Sequence, residues 1–328
     1  MIYEIYIKLT NGCQLKCEHC YNEIMLNHMH MPKRILDECI TWLKNFRLKH
    51  KTDTINITFH GGEPMLYKID DINYFIDETK DLDLSYGMTT NLVYDLTDEH
   101  IKLFKRLNPY KNTVLVQTSW DYKIRFNDDE EKVWENNVTK ITNEGILVQP
   151  IICLTKKLVE ECTPKDIFNY ITKFTNRFNF ERITNTGRAL NNNLRPNNDE
   201  LNKWLFEAYK LYKDSNLIIP IFDGIISSLH GSFIGCRERK CMEKVITINP
   251  NGTISACPNM ADKIIGDLKL IDMDKKQKLI DFERNVDIRC LMCEYYKYCN
   301  GDCCQLTWDE TGCPGMKDII KYELERSS

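Results

Sequence analysis

The chain has 328 residues and a mass of 38.7 kDa, enough to bury a large core as one big domain or as a domain with a smaller module. Its 44 lysine and arginine residues nearly balance 48 aspartate and glutamate residues, so the net charge is −4 and no nucleic-acid partner is expected. Charged residues interrupt the N-terminal sequence MIYEIYIKLT, and no later apolar stretch is long enough to cross a bilayer. We therefore expect a soluble cytoplasmic protein with no membrane partner.

Six short segments with alternating or β-branched residues predict strands, at 3–9, 54–59, 84–90, 113–119, 146–154 and 178–183. Helical patterns lie between them, such as the apolar positions at three- and four-residue spacing that follow Pro32. Cys39 falls on that apolar face and is expected in the core. Strand followed by helix, six times over, predicts an α/β fold with a parallel sheet, right-handed crossovers and a ligand site at the carboxyl ends of the strands.

The chain contains 15 cysteines and no export signal, so the clustered cysteines are expected to bind metal rather than form disulfides. Cys13, Cys17 and Cys20 directly follow the first predicted strand, and nine cysteines come after residue 235. Three closely spaced thiolates leave one iron of a 4Fe-4S cluster open for a ligand that is not protein. Tetrahedral zinc is the alternative, with His19 or a distant residue as the fourth ligand.

The spacing Cys13-x3-Cys17-x2-Cys20, followed by the aromatic Tyr21, resembles the signature of the radical S-adenosylmethionine (radical SAM) enzymes. That resemblance implies a partial (β/α)6 barrel and a cluster whose open iron is chelated by the amino and carboxylate groups of S-adenosylmethionine. Tyr21 belongs to the implied cofactor site.

Further residues at the predicted strand ends are similar to the family's cofactor contacts. The sequence GGEP resembles the turn that binds the cofactor's amino group; glycines let a backbone approach a ligand, and Glu63 or exposed carbonyls could accept from an ammonium. The polar residues at the ends of the third and fourth predicted strands resemble contacts to ribose and carboxylate. Ordinary loop capping is the alternative for Asn91, Ser119 and Asp121. The implied set is Gly61, Gly62, Glu63, Pro64, Asn91, Ser119, Asp121 and Arg125.

The C-terminal cysteines resemble the SPASM extension of radical SAM enzymes that modify peptides and proteins. The resemblance implies two auxiliary 4Fe-4S clusters, and a zinc ribbon is the alternative. The first cluster is expected to take Cys236, Cys241, Cys257 and Cys303, and the second Cys290, Cys293, Cys299 and Cys313. Cys304 is then an unligated neighbour.

Segment 180–192 also resembles a stretch that precedes the bridging region in such enzymes. The implied domains are a radical SAM partial barrel at 1–195, a bridging helical region at 196–232 and a SPASM auxiliary-cluster domain at 233–328.

The resemblance implies reductive cleavage of S-adenosylmethionine and abstraction of a hydrogen atom from a peptide by the 5′-deoxyadenosyl radical. A thioether or carbon–carbon crosslink in a ribosomally made peptide is the expected product, with flavodoxin or ferredoxin as electron donor and the auxiliary clusters as electron relay. Because the chain begins almost at its first strand, we expect no leader-binding domain; a partner protein, or the SPASM region and barrel mouth, would recognise a leader.

Two other enzyme activities and one binding function remain open. A radical SAM enzyme could act on a small molecule, because cluster motifs do not indicate substrate size. It could also act on a protein side chain, as the sulfatase maturases do, but in that group an aspartate base follows an auxiliary-cluster cysteine, whereas Pro258 follows Cys257 here. The third alternative is a zinc-stabilised binding protein without catalysis. No catalytic side chain is assigned.

Overall fold

The computed structural model describes residues 1–22, 28–110, 112–190 and 193–327. Within these ranges nine strands form one sheet in the order β6-β5-β4-β3-β2-β1-β7-β8-β9. The strands are β1 (Ile2–Thr10), β2 (Thr54–Gly61), β3 (Ser85–Thr90), β4 (Leu115–Ser119), β5 (Leu147–Leu154), β6 (Asn179–Arg182), β7 (Val245–Ile248), β8 (Thr253–Ser255) and β9 (Ile264–Asp267).

The first six strands confirm the predicted barrel. Each of them pairs in parallel with its neighbour in sequence, and their bounds differ from the predicted ones by at most two residues. β6 lies at one end of the sheet and β9 at the other, so the barrel is unclosed. The carboxyl ends of β1 to β6 therefore share one edge, where a ligand site is expected.

The described ranges also contain α-helices. They are α1 (Lys33–Lys49), α2 (Ile69–Thr79), α3 (Asp98–Phe104), α4 (Asp128–Asn143), α5 (Lys156–Glu161), α6 (Pro164–Ile171), α7 (Asn198–Lys213), α8 (Pro220–Leu229), α9 (Cys241–Lys244), α10 (Met273–Arg284), α11 (Ile288–Leu291), α12 (Tyr296–Cys299) and α13 (Lys317–Ser327). Helix α1 begins after Pro32, and Cys39 is buried on its core face as predicted. In the part of the chain described here, no helix has the length and apolar character that a bilayer crossing requires.

The alternation of side chains along β1 separates the core from the barrel interior. Ile5, Ile7 and Leu9 belong to the hydrophobic core shared with the helices. Because successive side chains of a strand point to opposite faces, Tyr6 and Lys8 lie on the inner face. Lys8 is nevertheless completely buried. The barrel interior thus contains a buried cation below the opening cysteine motif.

The tail joins the barrel more closely than the sequence indicated. Strand β7 pairs in parallel with β1, and β8 and β9 continue the sheet by antiparallel pairing. Ile248, Ile254 and Ile319 belong to the same hydrophobic core as β1. A second, small cluster contains Met242 and Met260. The cysteine-rich region is therefore packed onto the barrel through a shared sheet and core.

Candidate active site

The three cysteines of the opening motif lie in the loop that follows β1. The amide of Gly12 donates to Oγ1 of Thr10 at 2.9 Å, and the amide of Cys20 donates to the carbonyl oxygen of Cys17 at 3.2 Å. Cys17 is buried, whereas Cys13 and Cys20 are partly exposed. These contacts fix a loop that presents three thiols at the carboxyl end of β1.

The cysteine sets are spaced more widely than one zinc ion requires. With Zn–S bonds of about 2.3 Å, tetrahedral geometry places the sulfur atoms about 3.8 Å apart. Within the described ranges, the one group of three potential ligand atoms that lie within 4.8 Å of one another is formed by His19, Asp121 and Cys153. No three cysteine sulfurs there form such a group. This spacing is compatible with a polynuclear cluster.

The glycine pair at the end of β2 packs against the cysteine loop. The amide of Gly62 donates to the carbonyl oxygen of Thr10 at 2.7 Å, and the amide of Glu63 donates to that of Gly12 at 2.8 Å. A Cβ atom on Gly62 would lie 2.1 Å from the Gly12 oxygen, and one on Gly61 would lie 2.2 Å from the Thr10 oxygen. The sequence predicted that these glycines let the backbone approach a ligand closely. In the structure they let the backbone of the turn pack closely against the cysteine loop.

The carboxylate of Glu63 braces the turn internally. Its Oε1 accepts from the amide of Met65 at 3.0 Å and from Oγ1 of Thr90 at 2.7 Å, and its Oε2 accepts from the amide of Asn91 at 2.7 Å. Pro64 then begins a short 3-10 turn. Burial raises the pKa of Glu63 to about 7 despite these hydrogen bonds. Glu63 is 1% exposed, and both of its carboxylate oxygens accept hydrogen bonds from the protein.

Asn91, at the end of β3, connects that strand to the cysteine loop. Its Oδ1 accepts from Nε2 of Gln14 at 3.0 Å and from the amide of Val93 at 2.8 Å. Its Nδ2 donates to Sγ of Cys13 at 3.7 Å. A donor to sulfur favours the thiolate form that a metal requires.

Asp121 and Arg125 form a buried ion pair below the same loop. Oδ1 of Asp121 accepts from the amide of Cys153 at 2.6 Å, and its Oδ2 lies 3.1 Å from Nε2 of His19. Burial alone would raise the pKa of Asp121, but Arg125 and His19 hold it below its ordinary value. Nη1 of Arg125 is 3.5 Å from Sγ of Cys17. In this structure Asp121 thus holds Arg125 beside the cysteine loop.

Tyr21 and Ser119 lie at the same end of the barrel. Oη of Tyr21 is 3.1 Å from Nε2 of His60, and Nζ of Lys8 is 5.6 Å from the centre of the Tyr21 ring. Nζ of Lys8 also donates to Oδ1 of Asn22 at 2.7 Å. Ser119 is the last residue of β4 and is half-buried. His60 and Lys8, which the sequence analysis did not select, are thus part of the site's inner wall.

Segment 180–192 supports the cysteine loop from the other side; its last two residues lie outside the described ranges. The amide of Arg188 donates to the carbonyl oxygen of Cys20 at 3.0 Å, and its Nη1 donates to that of Cys17 at 3.3 Å. Gly187 has a φ of +56°, and a Cβ there would lie 2.3 Å from the Cys20 oxygen. The sequence of this segment does not by itself predict the contact with the loop, because that contact depends on the fold.

The tail cysteines line two separate cavities. The first cavity has a volume of 70 Å³. Its cysteines are Cys236, Cys241, Cys257, Cys303 and Cys304. Nε2 of Gln305 donates to Sγ of Cys257 at 3.5 Å, and the carboxylate of Glu283 accepts from the amide of Cys241 at 2.8 Å. Five thiols therefore surround a site for which four ligands are expected.

The second tail cavity is smaller, with a volume of 30 Å³. Its cysteines are Cys290, Cys293, Cys299 and Cys313. Nε1 of Trp308 lies 3.1 Å from Sγ of Cys290, and Sγ of Cys313 is 3.3 Å from the carbonyl oxygen of Gly315. Four cysteines within one short segment of the sequence thus line this cavity together.

A larger cavity of 330 Å³ separates the cysteine loop from the tail. Tyr21 lines it on the barrel side, and Cys304 lines both this cavity and the first cysteine cavity. The wall also combines amide, carboxylate and aromatic side chains, from Asn259, Gln305, Asp262 and Phe282. A molecule in this space would contact the opening motif and the tail together.

Comparisons with known proteins agree with this architecture. Residues 7–160 match the model of the Radical SAM superfamily. Over 330 positions the chain is 23% identical to a cysteine-type anaerobic sulfatase-maturating enzyme of Clostridium novyi (strain NT), covering 90% of this chain and 85% of that protein.

Two solved structures share the fold at low sequence identity. The structure of anSMEcpe with bound AdoMet and the Kp18Cys peptide has a TM-score of 0.80 and 16% identity, and covers 99% of this chain and 98% of its own. Streptococcus suis SuiB bound to the precursor peptide SuiA has a TM-score of 0.63 and 15% identity, and covers 92% of this chain and 72% of its own. The family match places residues 7–160 in the Radical SAM superfamily, and the unclosed barrel is the fold that the two solved structures share with this chain.

Proposed function

We propose that this chain cleaves S-adenosylmethionine reductively at Cys13, Cys17 and Cys20 and uses the resulting radical to modify a peptide. The observation that carries the proposal is the loop of three thiols at the carboxyl end of β1. Nε2 of the neighbouring His19 lies 3.1 Å from Oδ2 of Asp121 and 3.1 Å from Nη2 of Arg125, and its buried Nδ1 has no hydrogen-bond partner among the described residues. Three thiolates leave one iron of a 4Fe-4S cluster open for the cofactor.

When bound, the cluster and S-adenosylmethionine supply the electron and the 5′-deoxyadenosyl radical. The protein's own contribution is to hold and tune the thiolates. Nδ2 of Asn91 and Nη1 of Arg125 place donors beside Sγ of Cys13 and Sγ of Cys17, and such donors stabilise the charged sulfur. The other implied cofactor contacts, those of Tyr21 and Ser119 among them, remain part of this proposal.

A peptide substrate is supported by the cavity and by the relatives. The 330 Å³ cavity offers amide side chains for backbone groups and an aromatic ring for an apolar side chain. The solved relatives are bound to a Kp18Cys peptide and to the precursor peptide SuiA. We propose hydrogen abstraction from a peptide in this cavity, giving a thioether or carbon–carbon crosslink.

Two alternatives concern the substrate. A sulfatase-maturase-like reaction on a protein side chain is favoured by the relative from Clostridium novyi. Against it, Pro258 follows Cys257 and begins a 3-10 turn, so no carboxylate stands at that position. A small-molecule substrate is the other alternative, and the cavity volume alone does not exclude it.

The proposal extends to the tail and to partners. The two groups of four thiols would hold auxiliary 4Fe-4S clusters that relay electrons, with Cys304 as an unligated neighbour of Cys303. The proposed units are a barrel at 1–195, a bridging region at 196–232 and an auxiliary-cluster region at 233–328. A flavodoxin or ferredoxin would supply electrons, and a separate protein could recognise a leader peptide.

The test compares wild-type protein with a variant in which Cys13, Cys17 and Cys20 are all alanine. Anaerobically reconstituted wild type should be brown, contain about twelve irons by four per cluster, and form 5′-deoxyadenosine on reduction. The triple variant should keep about eight irons and form none. A variant that still produced 5′-deoxyadenosine would refute the site, and colourless protein with stoichiometric zinc would favour the binding-protein alternative.

The substrate class needs a separate measurement. Short peptides encoded beside the gene should be incubated with the reduced enzyme and analysed by mass spectrometry. Loss of two hydrogen atoms from such a peptide, with no change in small-molecule controls, would support crosslinking. An aldehyde formed on a cysteine or serine side chain would instead support the sulfatase-maturase-like reaction.

A further inference from the structure

Three charged side chains meet in the interior between β6 and the tail. Nη2 and Nη1 of Arg182 donate to Oδ1 and Oδ2 of Asp302 at 2.7 and 3.0 Å, and Nη2 of Arg237 lies 3.0 Å from Oδ2 of Asp302. The side chains of Arg182, Arg237 and Asp302 are 9%, 6% and 1% exposed. Two cations and one anion leave an excess positive charge in a place that water does not reach.

This charged trio lies between the two cysteine cavities of the tail. Arg182 lines the first cavity together with Cys303, and its Nη1 also donates to the carbonyl oxygen of Pro314 at 3.1 Å. Pro314 in turn lines the second cavity. Oδ1 of Asp302 accepts from the amide of Cys303 at 2.8 Å. The excess charge is therefore close to both groups of thiols.

Arg237 has donor capacity that the described part of the chain does not use. Its Nη1 and Nη2 are both buried, and neither has a hydrogen-bond partner among the described residues, although Nη2 lies within ion-pair distance of Asp302. A buried charged donor without an acceptor is costly unless a bound group completes it. Arg237 directly follows Cys236, and a cluster held by four thiolates carries net negative charge and offers sulfur acceptors.

The loop that carries Asp302 is held in an uncommon conformation. Asn300, Gly301 and Asp302 have φ values of +55°, +77° and +57°, and only glycine adopts this region without steric cost. Such conformations persist where surrounding contacts impose them. Here the contacts are the two arginines and the amide of Cys303, which keep the carboxylate between the cavities.

We propose that Arg237, held by Asp302, is a positioning residue that raises the reduction potentials of the auxiliary clusters. Each cluster gains one negative charge on reduction, and a buried cation nearby stabilises that state. The inference rests on the proposed function, because the auxiliary clusters belong to it. It assigns a role to Arg237, which is not a cluster ligand. That role concerns the reduction potential, which the number of cysteine ligands does not determine.

The test measures midpoint potentials in full-length protein whose Cys13, Cys17 and Cys20 are alanine, so that only auxiliary clusters give a signal. Reductive titrations followed by electron paramagnetic resonance are run on Arg237→Gln, Arg237→Lys and Asp302→Asn. The matched control is Arg289→Gln. Arg289 is also adjacent to a cluster cysteine, but its side chain is 52% exposed and pairs with Asp287.

Arg237→Gln should shift the auxiliary potentials downward with iron content unchanged, and Arg237→Lys should shift them less. Asp302→Asn removes a negative charge and should shift the midpoint potentials upward. If the Arg237→Gln protein does not load its clusters, this variant still shows in which direction the buried charge shifts the potentials. Arg289→Gln should leave them unmoved, because water screens its charge.

Full iron content with unmoved potentials in Arg237→Gln and Asp302→Asn, or an equal shift in Arg289→Gln, would overturn the inference alone. A parent protein without the expected eight or so irons would overturn the auxiliary-cluster assignment and this inference together. The two failures are therefore distinguishable by iron analysis before any titration.

Discussion

The amide of Asn91 donates to Oε2 of Glu63 at 2.7 Å, and this bond ties the end of β3 to the turn after β2. The same Asn91 reaches Sγ of Cys13 through its side chain. Glu63 therefore acts on the cysteine loop indirectly, by fixing the residue that contacts it. Both the protonation of Glu63 and the packing of the neighbouring glycines should affect the site.

We expect Glu63→Gln to change how stability depends on pH. Burial raises the pKa of Glu63 from 4.5 to about 7, so the folded chain binds this proton more tightly than the unfolded chain. That stabilisation is complete below pH 4.5 and is lost as pH rises through 7. We therefore compare the free energies of unfolding of wild type and variant. The difference, wild type minus variant, should fall by at most about 3 kcal/mol as the pH rises through this range.

Urea denaturation of the metal-free proteins between pH 4.5 and 8 measures this difference, with the exposed Glu78→Gln as control. Titration of His60, whose pKa burial lowers to about 3, is common to all three proteins and cancels in the comparison. Parallel curves for wild type and Glu63→Gln would show that Glu63 does not titrate in this range.

Gly62→Ala should disrupt the opening site. Its Cβ would lie 2.1 Å from the carbonyl oxygen of Gly12, a backbone atom that cannot move aside without displacing the cysteine loop. We expect a loss of about 1–3 kcal/mol of stability and loss of iron from the opening motif. The matched control is Gly224→Ala in α8, where the Cβ would lie 3.5 Å from Cγ1 of Ile234. Equal iron content and stability in the two variants would contradict the packing argument.

The sequence predicted the strands of the barrel because alternation and turn residues are local signals. It did not predict β7, although all four residues of Val245–Ile248 are β-branched, because so short a segment is a weak signal beside the cysteine spacing on either side. The sequence also could not predict the internal hydrogen-bond partners of Glu63 and Asp121. Whether a carboxylate faces a ligand or an internal amide depends on partners 28 and 32 residues away, and only the fold brings them together.

Asp121→Asn should release Arg125 from its buried position. The variant keeps an oxygen for the amide of Cys153 but leaves the guanidinium without its anion, and breaking a buried pair costs about 3–5 kcal/mol. We expect lower stability of the metal-free protein and weaker binding of S-adenosylmethionine to the reconstituted protein. Asp129→Asn, at a side chain that is 93% exposed, is the control. Unchanged stability and binding in Asp121→Asn would show that the pair does not position Arg125.

Replacement of Cys290 and Cys293 by alanine should remove the second auxiliary cluster. About eight irons should remain, and the segment 287–316 should exchange its amide hydrogens faster, because metal binding there contributes folding energy. Strand β7 should keep its protection, since it pairs with β1 and shares the barrel core. Hydrogen exchange followed by mass spectrometry distinguishes these two segments within one sample.

The same double variant tests whether the second cluster relays electrons. It should still bind and slowly cleave S-adenosylmethionine, because the opening motif is intact, but it should form little modified peptide, because the substrate radical cannot pass on its electron. Chromatography of 5′-deoxyadenosine and mass spectrometry of the peptide, from the same reaction, give the ratio of cleavage to product. Full product yield from protein that has lost this iron and its local protection would show that the second cluster is neither a relay nor needed for substrate binding.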